Sequence, residues 1–195
     1  MKRAISAAAL SLSFAGLTQA APETYNIDPD HTYPAFEADH MGGLSIWRGK
    51  VNSTSGKIVY DKEAKAGTVD VTMNMASIDF GHDKMNMHAN SPDIFDTAKY
   101  PTATFNGTLA AFNGESPTEV QGQLTLHGVT KPVTLKINSF LCKTMPMPPN
   151  PYTCGADASA TINRGDFGVD YGKGFGFKMD VKLLITIEAR HVVSK

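Results

Sequence analysis

The residues best suited to chemistry lie in the stretch Phe80 to Asp96, FGHDKMNMHANSPDIFD. Its first nine residues hold His82, Met85, Met87 and His88. Thioether sulfur and imidazole are ligands for Cu(I), so one chemistry open to these four is copper binding. The alternative use is to line or cap an apolar space, because methionine is flexible, polarizable and fills irregular gaps. MxM pairs also occur at Met73/Met75 and Met145/Met147. The first pair falls on the apolar side of an alternating run, and the second sits in a proline-rich loop without histidine. Apolar lining is therefore the leading assignment, with no metal, and copper at His82, Met85, Met87 and His88 is the alternative.

His31 and His40 have no neighbouring cysteine or HExxH partner, and read as hydrogen-bonded structural histidines. With His88 they are assigned to a polar rim. Asp30 and Asp39 lie beside them, but there is no GxSxG elbow and no evident nucleophile, so no catalytic residue and no enzymatic activity are expected. Gly172 to Lys178, GKGFGFK, leads into a strand pattern rather than a helix, which is wrong for a phosphate loop. Its glycines fit a bulge or sharp bend. Asn163 to Gly168, NRGDFG, reads as a tight turn with a contact between Arg164 and Asp166.

The elements that must position these residues are strands. Val69, Val71, Met73 and Met75 alternate with polar residues, as do Val120, Gly122, Leu124 and Leu126, then Val133, Leu135 and Ile137. Phe177 to Ile187 continues the pattern near the end. One apolar and one wet face per run marks antiparallel sheet. Turn signals at Asp61 to Gly67, Asn113-Gly114, His127-Gly128 and Asn163 to Gly168 separate the runs. Counting from Tyr25 gives eight or nine strands, several of them long. Long one-faced strands must curl to bury that face, and closure removes exposed edges. The expected fold is all-β: a closed antiparallel barrel of about eight strands, wide enough for one small ligand. A two-sheet sandwich is the alternative. The alternation breaks near residues 82–97, where Asp83 to Asn90 is expected to form a short helix stopped by Ser91-Pro92.

Residues 1–20 read as an export signal. Lys2 and Arg3 precede a short apolar stretch, and Thr18 and Ala20 supply the small residues of a cleavage site. The run is too short for a membrane span, and no cysteine near the cut offers a lipid anchor. Residues 21–195 are then a single domain in the periplasm or secreted. Without Lys2 and Arg3, 16 of the 18 basic residues face 19 acidic ones, a net charge of −3 with no basic stripe. A nucleic-acid partner is excluded on that pattern. Cys142 and Cys154, an even count in an exported chain, are expected to form a disulfide around TMPMPPNPY.

Several segments together resemble the YceI-like family of exported lipocalin-like barrels associated with polyisoprenoid binding. They are IDPDHTYPAFEADHMG, HANSPDIFDTAKYPTATF, LTLHGVTKPVTL, ATINRGDFGV and a terminal strand ending in ITIEA, in the family's order. Met85 to Ala89 departs from it, since the family often carries an Arg-Asp pair and a leucine there. The resemblance implies a lipocalin-like barrel with an apolar channel for a long isoprenoid or acyl chain, and no catalysis. Alternation by itself fits a filled core or a tunnel, and the resemblance selects the tunnel. Its expected lining is Phe36, Trp47, Val71, Met73, Phe80, Met85, Met87, Phe95, Phe105, Leu124, Leu135, Phe167 and Phe177. The expected partner is a long-chain lipid with no other cofactor, and the protein is a monomer or dimer.

Overall fold

The computed structural model describes residues 21–193, so the export signal expected at residues 1–20 lies outside the described residues. Period-two alternation sets the strands. These are β1 (Glu23–Ile27), β2 (Tyr33–His40), β3 (Ser45–Val51), β4 (Thr54–Asp61), β5 (Ala66–Asn74) and β6 (Ile78–Asp79). After helix α1 (Asp83–Asn90) come β7 (Thr102–Asn113), β8 (Ser116–Leu126), β9 (Val129–Thr144), β10 (Tyr152–Asn163) and β11 (Asp180–His191).

All pairings are antiparallel, in the order β1-β4-β5-β7-β8-β9-β10-β11-β2-β3-β6. Pairing of β1 with β11, Tyr25 opposite His191 and Ile27 opposite Ala189, closes the sheet on itself. That contact decides for a barrel over a sandwich. β1 and β2 are one stave interrupted by the 3-10 turn Pro29–His31, β3 and β4 are another interrupted at Asn52-Ser53, and β5 and β6 are a third interrupted by the 3-10 turn Met75–Ser77, so the eleven segments form eight staves. Above the interruption β2 pairs with β3 and β3 with β6, while below it β1 pairs with β4.

The wall is therefore incomplete between β6 and β7, and residues 75–101 fill it. Met75 donates its N–H to the Pro101 carbonyl at 2.9 Å, and Met75, Ile78, Ala89 and Ala103 form a buried cluster. Helix α1 has the expected bounds, and the Ser91 hydroxyl caps its end by donating to the His88 carbonyl at 2.7 Å. Asn86 anchors it to β6, donating to Asp79 Oδ1 at 2.9 Å and accepting from the Phe80 N–H at 2.8 Å.

Hairpin chemistry fits the turns. His127 (φ 52°) and Gly128 (φ 75°) are both left-handed, as a two-residue primed turn between β8 and β9 requires. The turns at 61–66, 113–116 and 144–152 mark one end of the barrel, and those at 40–45, 126–129 and 163–180 mark the other. The first end is closed by Tyr25, Tyr60, Cys154 and Ala189 with Phe140 against them, and the Tyr60 hydroxyl donates to the Glu115 carbonyl. Cys142 and Cys154 face each other across β9 and β10 and are disulfide-bonded.

Candidate functional site

The barrel encloses an apolar cavity of about 440 Å³. That volume lies in the range of small-molecule sites. Every stave contributes to it, because each turns its apolar alternate residues inward. Val69, Val71 and Met73 come from β5, Val133, Leu135 and Ile137 from β9, and Leu183, Ile185 and Ile187 from β11. Phe105 and Leu124 face one another across β7 and β8 and meet the cavity together. A Cβ on Gly122 would lie 2.5 Å from the Phe105 ring and 2.7 Å from the Asn106 carbonyl oxygen. Glycine is needed there because the ring lies flat across the strand.

Polar lining groups collect at the end opposite Tyr25 and Tyr60: Asp39, His40, His88, Arg164 and Tyr171. A chain of rings surrounds the opening. Phe36 meets Phe80 at 5.5 Å, Phe80 meets Trp47 at 6.2 Å, Trp47 stacks on His40 at 4.7 Å, and His40 meets Phe177 edge-on at 5.1 Å. Across the mouth, His88 of α1 meets Tyr171 at 4.8 Å and approaches Asp93 at 3.6 Å.

Arg164 holds this end in shape. Its guanidinium donates to the carbonyls of Val169 at 2.7 Å and Tyr171 at 2.8 Å. The turn at 163–168 forms as expected, but the side chain reaches those carbonyls instead of Asp166. Burial pushes its pKa down, against the opposing charges of Asp170 and Asp39. The loop from Val169 to Phe177 is thus fixed by a cation half withdrawn from water.

Of the expected lining residues, Phe36, Trp47, Val71, Met73, Phe80 and Met85 meet the cavity. So do Phe95, Phe105, Leu124, Leu135 and Phe177. Two expectations need correction. Met87 is 67% exposed: it follows Met85 by two positions on a helix, so when one faces inward the other faces out. Phe167 is 2% exposed but lies outside the lining, because its 3-10 turn packs it into the cluster of Val120, Leu124 and Val133. Among the histidines, His40 and His88 reach the mouth.

His31 does not, a third correction. It sits on the Pro29–His31 turn, where its Nδ1 lies 2.8 Å from Asp28 Oδ2. That hydrogen bond raises its pKa. Asp28, His31 and Glu188 bring ligand atoms within 4.8 Å of one another, but Arg190 already supplies the positive charge, 2.6 Å from Asp28. The copper alternative fares no better. His82 precedes α1, Met85 and His88 turn to the cavity and Met87 turns to solvent, so the four donors do not share one face.

Sequence patterning missed Tyr25, Tyr60, Asp39, Arg164 and Tyr171 as lining residues. Tyr25 and Tyr60 lie on the short segments of interrupted staves, where alternation is too brief to phase, and Tyr171 lies in the loop between β10 and β11, where there is none. Arg164 lies within NRGDFG, whose turn signal conceals which way its arginine points.

The sequence model of the family described as "YceI-like domain" matches residues 25–189. A UPF0312 protein of Pseudomonas aeruginosa is 35% identical over 191 residues, covering 96% of this chain and 97% of its own. Protein YceI of Escherichia coli is 33% identical over 189 residues, covering 92% and 95%. Among solved structures, BcnA of Burkholderia cenocepacia superposes with a TM-score of 0.61 at 21% identity, over 80% of this chain and 95% of that one. A polyisoprenoid-binding domain of Saccharophagus degradans, implicated in plant cell wall breakdown, gives 0.60 at 15% identity over 86% and 98%. At these identities the two structures share the fold.

Proposed function

This chain belongs to the YceI-like family, and from that premise we propose that it binds and carries a long-chain apolar lipid, a polyisoprenoid or a quinone tail, inside the barrel. The observation carrying this proposal is the distribution of polarity along the cavity: apolar side chains from every stave in the depth, tyrosine rings at the floor, and ionisable carboxylate, imidazole and guanidinium groups only at one mouth. An amphiphile fits that gradient with its tail inside and its head near His40, His88 and Arg164. Each methylene withdrawn from water contributes about 0.8 kcal/mol, so a long chain overcomes the ordering cost of binding. Selection among tails is weak, because one methylene is worth only about 1–3 kcal/mol in such a site. The polyisoprenoid-binding character of the Saccharophagus degradans domain supports this ligand class.

The mechanism is sequestration, with no bond made or broken. Residues 1–20 act as the export signal and the mature domain works in the periplasm or outside the cell. Lipid extracted from protein purified from its exported fraction, analysed by mass spectrometry, tests the function. One long-chain species at near-stoichiometric amount is expected. Lipid-free protein that also takes up no polyprenol from detergent micelles would overturn it.

A further inference from the structure

Six of the ten large apolar side chains exposed among the described residues gather at the mouth: Met41, Leu44, Ile46, Met87, Tyr171 and Phe175. Leu44 is 76% exposed and Phe175 69%. Five of the six belong to two tips. One is the connection from β2 into β3, MGGLSIW from Met41 to Trp47, and the other is YGKGFGFK from Tyr171 to Lys178. The tips are locked together. Asp39 Oδ2 accepts the N–H of Gly42 and the N–H of Lys178, each at 2.9 Å, and a Cβ on Gly42 would lie 3.1 Å from the Gly176 carbonyl oxygen. The apolar residues therefore project from a shared platform.

Apart from the Asp39 carboxylate that joins them, charge on the tips has one sign. The first tip carries none, and the second carries Lys173 and Lys178, both exposed. Exposed acids of the same end, Asp83, Asp93, Asp166 and Asp170 among them, belong to α1, the turn after it and the stretch before Tyr171. Apolar side chains bordered by aromatic rings and lysines match the interfacial layer of a bilayer.

We propose that this end docks on an anionic lipid surface, with Leu44 and Phe175 entering the interface and Lys173 and Lys178 meeting lipid phosphates, so that the mouth opens onto the bilayer. A bilayer is the partner whose apolar interior can continue into an apolar cavity. A second copy or a partner protein would cap the mouth instead. This choice of partner rests on the carrier function, whereas vesicle docking itself does not require it.

Flotation with phosphatidylcholine vesicles, with and without phosphatidylglycerol, tests the docking. The wild type should float with the anionic vesicles. Leu44→Ser with Phe175→Ser should lower partitioning about ten-fold or more. Lys173→Gln and Lys178→Gln should each lower it about five-fold on anionic vesicles only, with a weaker salt dependence. Leu141→Ser with Met147→Ser removes two exposed apolar residues away from the tips and should change nothing. All these positions are exposed, and thermal melts check that folding is kept. Wild type that floats with neither vesicle overturns the proposal, and so do tip variants that float as well as wild type. A wild-type dimer in analytical ultracentrifugation that the Leu44/Phe175 double variant dissociates also overturns it, by assigning the face to a second copy. Wild type that floats yet takes up no polyprenol from micelles upholds the docking surface and removes the carrier function.

Discussion

Arg190 on β11 places a guanidinium nitrogen 2.6 Å from the carboxylate of Asp28, which is 5% exposed and lies 162 residues earlier in the chain. The same carboxylate takes His31 Nδ1 at 2.8 Å and the Asp30 N–H at 3.2 Å. This knot fastens the stave interruption to the last strand, where the barrel closes.

Burial pushes the Asp28 pKa up, but the hydrogen bonds from His31, the Asp30 N–H and Arg190 outweigh it and hold the carboxyl below its ordinary value. A depressed carboxyl stabilises the fold above its unfolded value of about 3.9, and the contribution is lost as pH falls through the folded one. His31, raised by its bond to Asp28, stabilises below about 6.5 and loses its share as pH rises through its folded value. Asp28→Asn should cost about 1.5–3 kcal/mol at neutral pH and flatten the acid limb of stability against pH in urea titrations. An unchanged acid limb would place the linkage elsewhere.

Reduction of Cys142–Cys154, or Cys142→Ser with Cys154→Ala, should lower stability by about 3 kcal/mol, the loop-entropy value for a ring of this size. Denaturant melts with and without reductant measure it. Thiol labelling of the unreduced, unfolded protein should find no reactive cysteine.

Leu124→Trp adds bulk beside Phe105 where the cavity has room. Long-chain lipid affinity should fall while the melting temperature is kept. A filled interior would instead lose about 1–3 kcal/mol of stability, with no lipid affinity in either protein.

Arg164→Lys keeps the charge but loses the fork that serves two carbonyls. Stability should drop by about 1.5–3 kcal/mol, and amide exchange should quicken at Val169 to Phe177. Unaltered exchange there would show that the loop is held by its glycine turns alone.

How much of this was legible beforehand depended on the length of each periodic run. β5, β8, β9 and β11 are long enough for alternation to phase every side chain, so Val71, Leu124, Leu135 and their neighbours fell where the pattern put them. The helix was legible because Ser91-Pro92 ends it. Its facing was not, since two turns of mixed residues show no apolar stripe, and Met87 was drawn inward with Met85. Phe167 went astray for a related reason: it lies in a turn, where no periodicity fixes the direction of a ring, and the 3-10 turn packs it outside the lining. The split staves were hidden because interruption at Asp28 to Thr32 and at Asn52-Ser53 depends on pairing with strands far along the chain.

Pairing of Tyr25 with His191 brings the two ends of the described chain side by side, on the floor of the barrel and facing away from the tips. The chain from residue 21 to residue 193 is thus almost a closed loop. A short linker could join residues 21 and 193, and the turn at Asn113-Gly114 could be cut to give a permuted domain that keeps the strand pairings. A tether or reporter fused at either end would hang from the floor, leaving the mouth pointed outward.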